Sequence, residues 1–302
     1  MAWIRHLLAL DRRIIFVLIA VGVMVPLLVP INLPVSVTPR VRAAYDTVEA
    51  LPAGSHILIS MDYEPDIMAE LQPMSVAVLR QCFRRHLKVV AMTLYPAGVG
   101  LAERALNTAA RAEGAVRDSD YVFLGYKSGF QTVILGIGED LRSQYPVDFY
   151  NKPLDSIPMM RGVNTYAQFG LVANLCGSAA ADYWIQLAQT RYHAPLILGS
   201  TAVMAYDYYP YLSSRQLLGL IGGMKGAAEY ERLIGVFGDG RRGMDAQSLV
   251  HLIIVLLVVL GNVALLTARR RGEIAPPGGS GGGGGGGAAG SGMGSPSAGV
   301  GA

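Results

Sequence analysis

The chain has 302 residues, of which 52% are hydrophobic and 16% are charged, and its formal net charge is +3. This composition is more apolar and less charged than that of an ordinary soluble protein, which indicates membrane-spanning segments. Basic residues cluster beside two apolar runs, so the positive charge does not predict a nucleic-acid partner. The only cysteines are Cys82 and Cys176, with no CxxC motif and no close histidine pair. The sequence therefore predicts no metal site, and it leaves any cofactor unknown.

Two uncharged runs near the ends of the chain predict two transmembrane helices. The first, Ile14 to Ile31, follows Arg12 and Arg13, and as a helix it would span roughly 27 Å, close to the thickness of a bilayer's hydrocarbon core. We assign this membrane segment to residues 14–34 and the second to residues 246–268. A cleaved signal peptide is the alternative for the first run, but no A-x-A cleavage pattern follows it. A buried hydrophobic helix is the alternative for both.

The flanking charges predict the orientation of the protein in the cell membrane. Arg12 and Arg13 precede the first run, while Arg269, Arg270 and Arg271 follow the second. Positive charge on both outer ends predicts a two-pass protein with both termini in the cytoplasm. Residues 1–13 are then a cytoplasmic head, and residues 35–245 form an extracytoplasmic domain. The glycine-rich residues 269–302 are predicted to be a disordered cytoplasmic tail.

Within the domain, short apolar runs alternate with helical patterns, which predicts parallel βαβ units. The predicted strands are 56–61, 87–94, 120–125, 169–175 and 196–200. The predicted helices are 38–51, 66–86, 101–113, 130–141, 178–193 and 213–234. Residues 130–141 also fit a hairpin strand, but their apolar side chains recur at helical spacing. The fold class is therefore α/β, with a doubly wound, mostly parallel Rossmann-like or flavodoxin-like sheet of about five strands in unknown order, flanked by two transmembrane helices.

Three further features of the sequence each allow two structural interpretations. Residues 145–167 form a long proline-containing connection, which predicts either a functional cover or a disordered loop. The last predicted helix contains Gly219, Gly222, Gly223 and Gly226, which either pack tightly on the sheet or form a docking face for another membrane protein. The transmembrane helices are the other candidate surface for such a partner. Cys82 and Cys176 are predicted to be buried free thiols, with a disulfide as the alternative.

Candidate site residues follow from one rule, namely that ligands of open α/β sheets bind beyond the carboxyl ends of the strands. The polar residues that the predicted strands deliver there are Asp62, Glu64, Lys127, Ser128, Ser178, Ser200, Thr201 and Asp207. Asp62 and Glu64 suit acid–base catalysis or cation binding, or are solvated turn residues before Pro65. Lys127 and Ser128 precede a helix and suit anion binding, or form an ordinary turn.

No catalytic or cofactor-binding residue can be assigned from a motif. The Lys127 region lacks P-loop spacing, residues 136–138 are not part of a GxGxxG pattern, and residues 199–201 do not form a nucleophile elbow. The leading hypothesis is a membrane-anchored, non-enzymatic module that binds a ligand or a partner subunit, besides the lipid bilayer. The alternative is an envelope hydrolase or transferase that uses Asp62, Glu64 and Lys127.

Overall fold

The computed structural model of the protein describes residues 11–29 and 31–270. The domain contains a six-stranded sheet in the order β3-β2-β1-β4-β5-β6, and all neighbouring strands are parallel. The strands are β1 His56–Asp62, β2 Lys88–Thr93, β3 Tyr121–Tyr126, β4 Phe169–Cys176, β5 Leu196–Ser200 and β6 Gly219–Gly222. This order confirms the predicted doubly wound, parallel α/β sheet, with six strands rather than five.

The described helices are α1 Arg12–Leu28, α2 Pro39–Glu49, α3 Met68–Arg84, α4 Val99–Glu113, α5 Phe130–Gln144, α6 Ala180–Tyr183, α7 Tyr209–Ser213, α8 Gly223–Leu233 and α9 Asp239–Arg270. The helices of the domain, from α2 to α8, cover both faces of the sheet. One hydrophobic cluster joins the sheet to α2, α3, α4 and α8, and a second joins the other face to α5, α6 and the segment before β4. Because both faces are buried, the strands are continuous apolar runs rather than alternating ones. In β1, for example, Ile57, Leu58 and Ile59 are all fully buried.

The helical prediction for residues 130–141 is confirmed by α5, but the prediction for residues 213–234 is wrong in part. That stretch divides into the end of α7, strand β6 and helix α8. A β-carbon at Gly219 would lie 2.3 Å from the backbone of Ala44, and one at Gly226 would lie 3.1 Å from Ile221. These two glycines therefore permit close packing within the domain and do not line a single helical docking face.

The long connection 145–167 is folded, so the disordered-loop alternative is wrong; its first part lies against the end of β3, where the N–H of Phe149 donates to the carbonyl oxygen of Phe123 at 2.8 Å. It contains the short 3₁₀ turns Leu154–Ser156 and Pro158–Met160, and Ile157 and Met160 are fully buried. The ring nitrogen Nε2 of His56, at the start of β1, lies 2.6 Å from the carbonyl oxygen of Met159. The connection thus packs against the amino end of β1, because its apolar side chains belong to the core.

One described helix, α9, is long and apolar enough to cross a membrane. It contains the predicted span 246–268. The helix α1 is described over 17 residues, from Arg12 to Leu28, which is short for a complete span. The prediction of two spans is therefore supported for the second run only. Residues 1–10 of the predicted head and residues 271–302 of the predicted tail lie outside the described residues.

Residues 16–254 form one compact unit, and the outer ends of α1 and α9 belong to a second. Within the first unit, buried carboxylates attach the segment after α1 and the start of α9 to the domain. Asp245 accepts hydrogen bonds from the backbone N–H groups of Asn32 and Leu33, at 2.8 and 3.0 Å. Glu231 accepts hydrogen bonds from the N–H groups of Gly240 and Arg241, at 2.9 and 2.8 Å, and so caps the start of α9.

Cys82 and Cys176 are both buried and free, as predicted. Cys82 belongs to the cluster on the α3 face of the sheet, and Cys176 belongs to the cluster on the α6 face. With the sheet between them, a disulfide would require rearrangement of the core.

Candidate functional site

The crevice between the carboxyl ends of β1 and β4 is the candidate site. The chain proceeds from β1 to β2 and β3 on one side and from β4 to β5 and β6 on the other, so the strand order reverses between β1 and β4. In doubly wound sheets, ligands bind at such a switch point. Asp62 ends β1 opposite Cys176, which ends β4. A pocket of about 120 Å³ opens beside them.

Four protein groups donate hydrogen bonds to the buried carboxylate of Asp62, which is 1% exposed. The Ser60 hydroxyl lies 2.8 Å from both carboxylate oxygens. The backbone N–H of Leu94 donates at 2.7 Å, the Asn174 amide at 2.7 Å and the Trp184 indole N–H at 3.0 Å. Asp62 therefore joins β1 to β4, to the end of β2 and to the helical segment that begins at Trp184.

Burial raises the pKa of Asp62 to about 6, although its hydrogen-bond donors act in the opposite direction. At neutral pH the carboxyl group is therefore ionised. Because protein donors surround both of its oxygens, it has little remaining capacity to accept a proton from a substrate. The geometry is that of a buried polar group that links elements of the domain, which we call an anchor.

The exposed wall of the crevice is acidic and aromatic. Its lining residues are Asp62, Tyr63, Glu64, Asp66, Ile67, Tyr95, Gly177 and Ser178. The hydroxyl oxygens of Tyr95 and Ser178 lie 2.7 Å apart, and Ser178 Oγ also accepts the N–H of Ala180 at 3.1 Å. Burial raises the pKa of the Tyr95 phenol, so it remains protonated at neutral pH. The lining contains no basic side chain, so it favours ligands that donate hydrogen bonds or carry positive charge.

Three of the predicted site residues, Asp62, Glu64 and Ser178, lie together in this crevice. Thr201 is adjacent, because a β-carbon at Gly177 would lie 2.8 Å from its methyl carbon. Ser200 ends β5 and is fully buried behind the crevice.

The other three predicted site residues lie outside the crevice. The Lys127 ammonium group binds the carbonyl oxygen of Gln144, with the Tyr145 ring centroid 5.5 Å away. Ser128 is exposed in the turn before α5. Asp207 is exposed in the 3₁₀ turn Met204–Tyr208, and its charge contributes to a raised pKa at Asp182, where burial is the larger cause.

Several buried polar side-chain atoms in this part of the domain have no hydrogen-bond partner among the described residues. They include Asn174 Oδ1, Ser200 Oγ and the Tyr145 hydroxyl. Burial raises the pKa of the Tyr145 phenol, and the charge of Asp62 raises it further. An unpaired buried polar atom costs roughly 1–3 kcal/mol, so these atoms lower stability unless a water molecule or a ligand binds to them.

The sequence prediction missed Tyr95, Asn174 and Trp184. Tyr95 follows β2 and could have been found by the same strand-end rule. Asn174 is a polar residue inside an otherwise apolar strand, which is itself a signal of a buried hydrogen-bond network. Trp184 lies at the start of the π-helical segment Trp184–Arg191, and no local sequence signal connects it with Asp62.

No family model matches the sequence, and no curated protein matches it. Among solved structures, the chain is similar to trehalose-6-phosphate synthase, OtsA, with 11% identity and a TM-score of 0.30. The match covers 80% of this chain and 48% of that one, so the chain spans about half the length of the enzyme. A likeness at this identity and TM-score carries no argument about function.

Proposed function

We propose that this protein is a membrane-anchored binding module, and that its α/β domain takes up a small, donor-rich polar ligand in the crevice between β1 and β4. The proposal rests on the burial and hydrogen bonding of Asp62, the carboxylate nearest the switch point. It is buried and already accepts hydrogen bonds from four protein groups, which supports an anchoring role over acid–base catalysis.

The remaining wall of the crevice favours a ligand with hydroxyl or amino groups. Glu64 and Asp66 supply carboxylate acceptors, while Tyr95 and Ser178 supply hydroxyl groups. The volume of about 120 Å³ is small beside the roughly 300–1,000 Å³ typical of drug-sized ligands. A polyol, an amino compound, or one terminal group of an envelope polymer is therefore the ligand class.

The alternative, an envelope hydrolase or transferase, would use Asp62, Glu64 and Lys127 together. Lys127 does not line the crevice, and its ammonium group is held by Gln144. No lining residue is a histidine that could activate Ser178. These observations favour binding over catalysis.

The proposal includes two membrane spans, with both termini in the cytoplasm and the domain outside. Arginines flank both apolar runs on their outer sides. Within the compact unit, α1 also packs against α9, since a β-carbon at Gly22 would lie 2.6 Å from the side chain of Ile253. Cysteine-accessibility labelling at residues 114 and 275 tests the orientation. Labelling of residue 114 from the cytoplasm would contradict it.

Ligand binding can be tested on the full-length protein in detergent. Thermal-shift screening would compare polyols and amino compounds with acidic metabolites, and we expect stabilisation by the first two classes. A ligand at a hundredfold excess over its Kd stabilises the folded state by about 2.7 kcal/mol. Glu64→Gln and Ser178→Ala should weaken binding, while Asp207→Asn, an exposed carboxylate outside the lining, is the matched control. Preferential binding of acidic ligands, or equal binding by the Glu64 variant, would contradict the proposal.

A further inference from the structure

A second cavity, separate from the crevice, opens where the last strand of the sheet passes into α8. It encloses about 160 Å³. The starts of α2 and α8 and the turn after β5 form its walls, with Thr38, Arg40, Tyr206, Tyr209 and Lys225 among the lining residues. Its lining differs from that of the crevice, because two basic side chains face it.

Arg40 is the main positive charge of this cavity. Its guanidinium carbon lies 4.4 Å above the centroid of the Tyr209 ring. It forms no ion pair with any carboxylate in residues 11–29 or 31–270. Stacking on an aromatic ring orients the guanidinium plane while leaving its N–H groups available, which suits recognition of a phosphate or carboxylate group.

The carboxylate in the lining, Glu229, does not oppose an anion, because its charge is engaged by neighbouring groups. Its side chain is 1% exposed. It accepts hydrogen bonds from the N–H of Thr38 at 2.8 Å and from the Thr38 hydroxyl at 2.6 Å. Lys225, four residues earlier on α8, forms an ion pair with it. The ammonium group of Lys225 has three N–H donors, so it retains donors for a ligand.

The backbone adds further donors. Gly222 is the N-cap of α8 and makes no side-chain capping bond, and Gly222 and Lys225 both line the cavity, so the first turn of α8 borders it. The first N–H groups of a helix have no acceptor within the helix. A β-carbon at Gly223, whose φ is +63°, would lie 2.7 Å from Ala202, so a larger residue there would crowd the rim of the cavity. The basic side chains and the helix start thus point to the same kind of ligand.

We propose that this cavity binds a phosphate group, held by the Arg40 guanidinium, by Lys225 and by the first N–H groups of α8. Tyr206, which is 68% exposed, provides a ring face for the portion of the ligand attached to the phosphate. The phosphate belongs either to a soluble phosphomonoester or to a lipid headgroup. Both present the same oxyanion to the guanidinium fork.

The first test is calorimetric titration of the full-length protein in maltoside detergent, which contains no phosphate. Inorganic phosphate and glycerol 3-phosphate are the probes. The wild type should bind both, and affinity should fall as the salt concentration rises. Arg40→Gln should weaken binding by about tenfold, as expected for loss of one charge-assisted contact. Arg161→Gln, which removes an exposed arginine outside the cavity lining, is the matched control and should bind like the wild type.

A second arm distinguishes the two sources of phosphate. If the ligand is a lipid headgroup, the wild type should bind glycerol 3-phosphate more weakly in nanodiscs that contain phosphatidylglycerol than in detergent, because the lipid competes for the cavity. The Arg40→Gln variant should bind it equally weakly in both media. If the ligand is soluble, binding should be equal in detergent and in nanodiscs. Absence of phosphate binding in both media, or wild-type affinity in Arg40→Gln, would overturn the proposal. Glu64→Gln and Ser178→Ala alter only the crevice, so these variants should bind phosphate with wild-type affinity. The result therefore tests the phosphate cavity independently of the ligand proposed for the crevice.

Discussion

Replacement of Asp62 by alanine tests whether this carboxylate anchors the fold. Three buried N–H donors would lose their acceptor, namely the backbone N–H of Leu94, the Asn174 amide and the Trp184 indole. Each unpaired buried donor costs about 1–3 kcal/mol. Against this loss, the variant no longer buries a charge. The rise in the pKa of Asp62 from 3.8 to about 6 corresponds to about 3 kcal/mol. Since neighbouring groups relax, we expect a net loss of about 3 kcal/mol at pH 7.

The pH dependence of this penalty follows from the direction of the pKa shift. Because the pKa of Asp62 is higher in the folded state than in the unfolded state, the folded protein binds more protons between pH 4 and about 6. The stability that Asp62 contributes is therefore fully present below pH 4 and is lost as the pH rises through about 6. The Asp62→Ala variant lacks this dependence, so its penalty relative to the wild type should grow as the pH falls from 7 to 5.

Thermal unfolding of the full-length protein in detergent, followed by circular dichroism, measures both effects. A loss of about 3 kcal/mol should lower the Tm by about 6–12 °C for a domain of this size. Asp66→Ala removes an exposed carboxylate from the same loop and should change stability by less than about 0.5 kcal/mol. If Asp62→Ala unfolds at the wild-type temperature, or if its penalty is the same at pH 5 and pH 7, the anchoring role is refuted.

Three other predictions concern packing, capping and reactivity. In the same thermal assay, Gly219→Ala should destabilise the domain by more than about 2 kcal/mol, because the new β-carbon meets the backbone of Ala44. The control Gly100→Ala has open space in α4 and should be neutral or stabilising by up to about 1 kcal/mol. Glu231→Ala should lower the free energy of unfolding by about 1–2 kcal/mol through loss of the α9 cap. Amide hydrogen exchange should then rise selectively at the start of α9, and unchanged exchange there would contradict the capping role. Burial raises the pKa of the Cys176 thiol to about 12, so it should react with Ellman's reagent only on denaturation, and rapid reaction in the folded protein would contradict its placement.

Much of the sheet was predictable because its strands are buried on both faces. Five apolar runs of strand length predicted β1 to β5, since only continuous apolar side chains satisfy burial on two sides. Strand β6 was missed because its two glycines, Gly219 and Gly222, form a helix-like spacing with Gly223 and Gly226. What makes the stretch from Gly219 to Gly222 a strand is pairing with β5 and close contact with α2, and both are contacts between residues distant in sequence.

The residue pattern alone indicates where each strand ends, and therefore that Asp62, Glu64 and Ser178 belong to the carboxyl edge of the sheet. Parallel strands share a direction, so their carboxyl ends must lie at one edge whatever their order. Which of these strand ends are neighbours becomes known only from the folded sheet. The strand order places β1 beside β4 and moves β3 two positions away, which at about 4.8 Å per strand separates the β3 end and Lys127 from Asp62 by roughly 10 Å. Strand order depends on how the crossover helices pack on the two faces, and no pattern within a single strand encodes it.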